Sequence, residues 1–297
     1  MPDVDVLVVG SLNLDVVVGC DRMPRPGETV LGTDYQEQPG GKRLNQAVAA
    51  ARAGASVAMV GAVGDDAAGR LLRDVMDREG IDGRLVRTVA TPTGRAAITV
   101  DEAGENSIVV VPGANRHVVA DDLPSATVAL AQLEVPEDVV RAAFERLRAA
   151  GTRTILNPAP AGVGLDALLR ASDVVVPNEH EAHALGLAPG VVESSMAADP
   201  DSRGAPVVVM TAGSEGVYVF DEDPPHHQPP FPVVSIDTTG AGDSFCGAMA
   251  ARLAAGDALH NREIQQGITA SLLLQVGRFG TMSSQIDSHD LVTPFCT

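Results

Sequence analysis

The chain's apolar residues fall into short β-branched runs separated by stretches of helical spacing. Val4 to Gly10 is such a run closing on glycine, the signature of a strand buried on both faces. Asn45 to Gly54 is alanine-rich and stops at a glycine, and Ser56 to Val60 is apolar again. Ala67 to Glu79 then alternates Leu, Val and Met with charges at helical spacing. The predicted order is strand, helix, strand, helix. It resumes with helices over Pro136 to Ala150, Asp166 to Ala171 and Glu179 to Leu185, and with strands over Thr152 to Leu156, Asp173 to Val176 and Val207 to Thr211. After Asp237 the pattern turns helical, and Asp243 to Ala255 and Arg262 to Val276 are predicted to pack as a pair. Strands alternating with helices predict an α/β fold with a mostly parallel sheet covered on both faces.

Two stretches break this rhythm. Residues 16–39 carry Val16 to Val18, the turn cluster Met23-Pro24-Arg25-Pro26-Gly27 and a strand-like piece from Thr29 to Gln36, with no helix between. Residues 93–111 read as Arg95 to Val100, a turn over Glu102 to Glu105, and Ser107 to Val111. The expected organisation is one α/β domain of residues 1–15, 40–92 and 112–297, with a small β-sheet lid built from 16–39 and 93–111. Open α/β sheets bind ligands at the carboxyl ends of their strands, where such a lid would sit. Two decorative hairpins are the plainer alternative.

Composition narrows the partners. Among 297 residues, 21 Lys and Arg stand against 39 Asp and Glu, a net charge of 21 − 39 = −18. Such a surface repels nucleic acid and anionic membranes, so neither is an expected partner. With no Trp, two Tyr and six Phe, there is little material for stacking exposed bases. Three scattered cysteines, Cys20, Cys246 and Cys296, have no disulfide or zinc spacing. The start Met-Pro-Asp-Val-Asp lacks the basic residues of a signal peptide, and no apolar run approaches a membrane span. A cytoplasmic location is expected. Lys42 is the sole lysine.

The densest chemical signal is Asp237-Thr238-Thr239-Gly240-Ala241-Gly242-Asp243-Ser244-Phe245. Its glycines let the backbone turn sharply into a helix, so free amides converge there and form an anion site. A carboxylate is out of place in a simple phosphate store. It fits if Asp243 takes a proton from an attacking hydroxyl while the amides of Gly240, Ala241, Gly242 and Asp243 hold the charge on a transferred phosphoryl group. At this level Asp243 can equally be an N-cap on a glycine-rich turn.

Further motifs extend the pattern along almost the whole chain. They are Gly10 to Asp15, Pro24 to Thr29, Gly40-Gly41-Lys42 with Asn45-Gln46-Ala47, Gly61 to Asp65, Pro112 to Asn115, Gln132-Leu133-Glu134, Asn157-Pro158-Ala159-Pro160, Pro177 to Glu181 and Thr211 to Gly216. Taken in order, they resemble the ribokinase-like, or phosphofructokinase-B, family of carbohydrate kinases. Within it, Gln132 to Glu134 and Asn157 to Pro160 look more like members acting on D-ribose than on fructose or adenosine. The resemblance implies transfer of the γ-phosphoryl group of ATP to the 5-hydroxyl of D-ribose, with Asp243 as general base. A nucleoside or other furanose kinase, or a catalytically impaired sugar-binding protein, are the alternatives.

The resemblance also implies site residues. Asn13, Asp15, Gly40, Gly41, Lys42, Asn45, Glu134 and Asp243 would bind the sugar. Asn178, Thr211, Gly213, Ser214, Gly216, Gly242 and Thr269 would line the nucleotide. Glu181 would hold Mg²⁺ through water, and Asp237, Thr239, Arg278, Gly280 and Ser284 would hold an activating K⁺. A homodimer joined through the lid is implied as well.

Spacing disposes of rival motifs. His180-Glu181-Ala182-His183 has its histidines three apart instead of the four of a zinc-protease helix, and neither a P-loop nor a dinucleotide fingerprint is present. His226-His227 reads as part of a solvated Pro/His/acidic loop, Asp221 to Pro230. Arg43 and Leu44 stand where the family carries Gly and Ala, and an arginine there strains the turn if φ is positive, or else reshapes the sugar pocket.

Overall fold

The computed structural model describes residues 2–162, 164–187, 206–220, 225–230 and 240–259. The helix expected over Arg262 to Val276 lies outside them.

Among the described residues, the valine-rich runs pair as a nine-stranded sheet. In chain order its strands are β1 (Val4–Val9), β4 (Val57–Gly64), β5 (Asp82–Val89), β8 (Ala126–Ala131), β9 (Arg153–Leu156), β10 (Val174–Val175), β11 (Val207–Thr211), β12 (Val217–Phe220) and β13 (His226–Gln228). They lie side by side as β13-β12-β11-β10-β9-β8-β1-β4-β5, parallel from β5 through β11, with β12 and β13 antiparallel at one edge.

The helices are α1 (Lys42–Arg52), α2 (Ala67–Arg78), α3 (Glu137–Ala149), α4 (Asp166–Arg170), α5 (Glu179–Ala184) and α6 (Ala241–Ala254). The pleat of the strands sorts them into layers, because successive side chains point to opposite faces. Val6, Val8, Val57 and Met59 pack with Leu44, Leu72, Met76 and Phe245 of α1, α2 and α6. Leu7, Val9, Ala58 and Val60 pack with Val140, Phe144, Leu168 and Ala182 of α3, α4 and α5. Burying both faces explains why these strands read as continuous apolar runs.

A second sheet, in the order β3-β2-β6-β7, is built from β2 (Asn13–Cys20), β3 (Gly32–Gly40), β6 (Gly94–Asp101) and β7 (Asn106–Val111). β2 begins at Asn13 and β3 ends at Gly40, facing each other in register. The residues expected to hold a sugar therefore lie where this sheet meets the α/β body. Asp66, the N-cap of α2, ties down the entry to β6: its carboxylate accepts from Gly69 N at 2.8 Å, Thr93 N at 2.9 Å and Thr93 Oγ1 at 2.6 Å.

Two readings need correction. His226 and His227 lie in the edge strand β13 instead of a loop. The His227 ring stacks on Tyr218 with centroids 4.3 Å apart, and its Nε2 pairs with Glu215 O at 2.8 Å. An edge strand exposes one side to water and tolerates such polar residues. Arg43 lies inside α1, so it has no positive φ; the left-handed position is its neighbour Gly41, at φ 93°.

Candidate functional site

Small residues set the site's geometry. α1 and α6 cross so closely that a Cβ on Gly247 would stand 2.3 Å from Gln46 O and 2.6 Å from Ala49 Cβ. That approach brings the polar first turn of α1 against the start of α6. Asp243, 7% exposed, accepts at Oδ1 from Gln46 Nε2 at 2.9 Å and at Oδ2 from Asn45 Nδ2 at 3.2 Å. α6 opens on Gly240 in the left-handed region, φ 73°, with no side-chain cap on its N-terminus. The plain N-cap reading of Asp243 therefore fails, since Gly240 is the cap residue and the carboxylate is committed to α1. The amides of the first turn remain available to an anion.

A second polar cluster gathers at the carboxyl ends of β1 and β8. Glu134 Oε2 accepts from Ser11 Oγ at 2.6 Å and, at 3.4 Å, from Asn13 Nδ2. Asn13 Oδ1 accepts from Asn115 Nδ2 at 2.7 Å, and Asn115 Oδ1 in turn accepts from Leu12 N at 3.0 Å. Gln132 Nε2 donates to Ser11 Oγ at 2.7 Å. Asp15 fills the space beside Gly40, where a Cβ would fall 2.0 Å from its Oδ2. Gly41 also passes closely over Asn13 N, 2.8 Å from where its own Cβ would stand.

Burial pushes the Asp15 carboxyl up to about 7, and the Glu134 and Asp243 carboxylates push it the same way, while the Lys42 ammonium opposes them. The ordinary value is 3.8. A raised folded-state value means that this group's contribution to stability is complete below about pH 4 and is lost as pH rises through about 7. The urea midpoint of the ligand-free protein is expected to decline between about pH 4 and 7, and Asp15→Asn to flatten that decline. An unchanged slope in the variant would contradict the assignment.

On the other side of the cleft, Asn178 and Glu181 form a capping box at the start of α5. Glu181 N donates to Asn178 Oδ1 at 2.8 Å, and Asn178 N donates to Glu181 Oε2 at 2.9 Å. Burial raises the Glu181 carboxyl above its usual range. Thr211 ends β11, bridging Asn178 in the next segment, and its amide donates to Pro177 O at 3.0 Å. Gly213, Ser214 and Glu215 form a 3-10 turn, and Gly216 at φ 94° closes it under Gln228 O. Asp237, Thr239, Thr269, Arg278, Gly280 and Ser284 lie outside the described residues.

Sequence reasoning did not single out Gln46 and Asn157 as functional. Gln46 donates to both Asp243 and Asn157 Oδ1, the latter at 3.2 Å, while Asn157 Nδ2 donates to Val176 O at 2.8 Å. The signal was there in the form of a glutamine inside an alanine-rich, otherwise apolar helix.

An α/β sheet whose carboxyl edge carries an uncapped helix N-terminus, a buried carboxylate beside it and a cluster of polar side chains is the arrangement of a small-molecule phosphotransferase. The chain belongs to the pfkB family of carbohydrate kinases, whose family description, pfkB family carbohydrate kinase, matches residues 3–277. It is 36% identical over 291 residues to a ribokinase of Haemophilus influenzae, covering 93% of this chain and 94% of that one. It is 37% identical to a bifunctional ribokinase/ribose-5-phosphate isomerase A of Fructilactobacillus sanfranciscensis, with 84% of this chain aligned to about half of that protein, 48%. Among solved structures, an Arabidopsis thaliana ribokinase complexed with ribose and ATP superposes with a TM-score of 0.74 at 29% identity, covering 93% of each chain.

Proposed function

We propose that this chain is an ATP-dependent ribose kinase that transfers the γ-phosphoryl group of ATP to the 5-hydroxyl of D-ribose. The observation that carries the reading is the Asp243 carboxylate, held by Asn45 and Gln46 at the start of α6 and close enough to Asp15 of the polar cluster for the two carboxylates to repel each other. In the step, a bond forms between O5 of the sugar and the γ-phosphorus, the bond from that phosphorus to the β–γ bridging oxygen breaks, and ADP leaves. The hydroxyl proton passes to Asp243. The amides of Gly240, Ala241, Gly242 and Asp243 stabilise the charge on the phosphoryl oxygens.

Asn13, Asp15 and Glu134 accept and donate to the sugar hydroxyls, with Gly40 and Gly41 letting the backbone approach and Lys42 and Asn45 reaching in from α1. Asn178, Thr211, Gly213, Ser214, Gly216, Gly242 and Thr269 make the nucleotide subsite. Glu181 fits Mg²⁺ held through water: it is a hard oxygen donor with only Oε2 committed, and its raised pKa marks a carboxylate lacking a cationic neighbour strong enough to offset burial. When bound, Mg²⁺ neutralises phosphate charge. K⁺ at Asp237, Thr239, Arg278, Gly280 and Ser284 is proposed on the family resemblance.

Pairing of two chains through the second sheet is proposed too. Leu31, Tyr35 and Ile108 to Val111 are exposed apolar side chains there, which a second copy would cover. A cytoplasmic setting accords with the unpaired Cys20 and Cys246. Among the described residues, no helix is long and apolar enough to cross a membrane. Arg43 and Leu44 are both withdrawn from solvent, at 0% and 1% exposure, which supports an ordinary ribose pocket over a remodelled one.

An ADP-forming assay over D-ribose, 2-deoxyribose, fructose and nucleosides tests the reading. The highest kcat/KM is expected with D-ribose. A nucleoside turned over faster, or ribose bound without any turnover, would replace it with one of the alternatives.

A further inference from the structure

Arg43 heads the fully buried side chains of the described residues by size. A guanidinium in that position normally meets a carboxylate or several carbonyls, because an uncompensated buried charge is costly. Here Nη1 donates to Gln46 Oε1, while Nε and Nη2 find no acceptor among the described residues. The stem lies over Gly10, where a Cβ would stand 2.2 Å from Arg43 Cγ, so the glycine at the end of β1 makes its room. Burial lowers its pKa to about 9, which leaves it cationic at neutral pH.

We propose that Arg43 is a positioning residue for phosphoryl transfer, acting through Gln46 to fix the orientation of the Asp243 carboxylate. The inference rests on the ribose kinase reading above. A glutamine amide can sit two ways round, and the guanidinium selects one. With Oε1 held by Arg43, Nε2 faces two acceptors, Asp243 Oδ1 at 2.9 Å and Asn157 Oδ1 at 3.2 Å. Asn157 is itself fixed through its donation to Val176 O. Removing the guanidinium leaves Oε1 a buried acceptor without its donor, and the side chain turns to recover one, loosening its hold on Asp243.

Arg43→Met keeps the bulk of the stem and removes the donors and the charge. It is expected to lower kcat about 10- to 100-fold, the scale of a slightly misplaced reacting group, with the ribose KM changed less than about threefold. Tm should not fall, since a buried charge with two donors lacking acceptors is lost. Arg43→Lys should restore part of the rate but not all of it, because an ammonium can donate to Gln46 Oε1 but lacks the planar fork. In a Gln46→Met background, Arg43→Met should cost little further rate.

Wild-type kcat in Arg43→Met overturns the proposal, as does a rise in KM alone or a rate loss that multiplies with that of Gln46→Met. The side-chain amide signal of Gln46 in ¹⁵N-labelled protein gives a readout independent of substrate: distinct and exchange-protected in the wild type, averaged in Arg43→Met. If the wild type fails to phosphorylate ribose, the functional reading falls, and this signal alone decides the role of Arg43. An unchanged signal overturns it.

Discussion

Asp243→Asn is expected to lower kcat with ribose by about 10²–10⁴-fold, while the affinities for ribose and ATP change by only a few fold. The substitution preserves shape and one of the two acceptors but removes the basic oxygen. Asn45 and Gln46 both donate to the carboxylate, at 3.2 and 2.9 Å, so the asparagine keeps one partner and turns its NH₂ against the other. The attacking hydroxyl then has no group to take its proton, whereas the amides at the start of α6 are untouched and still bind phosphate. The loss belongs in kcat. Single-turnover rates with calorimetric affinities separate the two, and retention of most of the turnover with unchanged sugar binding would show that the base is another group.

Gly41→Ala is expected to cost stability and sugar affinity together. At φ 93° and ψ 123° an L-residue is strained by about 1–3 kcal/mol. The new Cβ would also stand 2.8 Å from Asn13 N and 3.0 Å from Ser11 O, backbone atoms that cannot swing aside. Relief comes only by pushing β2 away from α1, which displaces Asn13 and Ser11 from Glu134. The urea midpoint should fall, and the ribose KM should rise by an order of magnitude or more. Gly242→Ala supplies the contrast in stability: its Cβ would meet nothing within 4 Å, and the residue sits in the first turn of α6. It should unfold no more easily than the wild type. A Gly41→Ala protein as stable as its parent with an unaltered KM would contradict the close-approach account.

Much of the sheet was legible because its central strands are buried on both faces, which leaves continuous runs such as Val4 to Val9 and Val207 to Thr211. β8 escaped notice for the opposite reason. Its sequence, Ala126 to Ala131, is half alanine and lacks the β-branched density of its neighbours, and its position between β1 and β9 alone makes it a strand. β13 was hidden by its polarity.

At the site, residues at glycine-marked turns were visible from sequence, since Gly40, Gly41 and Gly240 announce close approach or left-handed backbone. The wiring behind them was not. That Gln46 links Arg43, Asn157 and Asp243 depends on how closely α1 and α6 cross, and the crossing is set by Gly247 and Ala49, residues that read as ordinary helix filler. Asn178 and Glu181 illustrate the reverse: their spacing is legible as a capping box, and the structure forms one, so a local role and a proposed phosphate-side role coincide in the same pair.

The most direct test of the ribose kinase account is the identity of the product. Purified protein incubated with D-ribose, ATP and Mg²⁺ is followed by ³¹P and ¹³C NMR. Stoichiometric ADP with a phosphate ester coupled to C5 of ribose is the expected result. ADP released without a sugar ester, an ester on any carbon other than C5, or no consumption of ATP with ribose would contradict it.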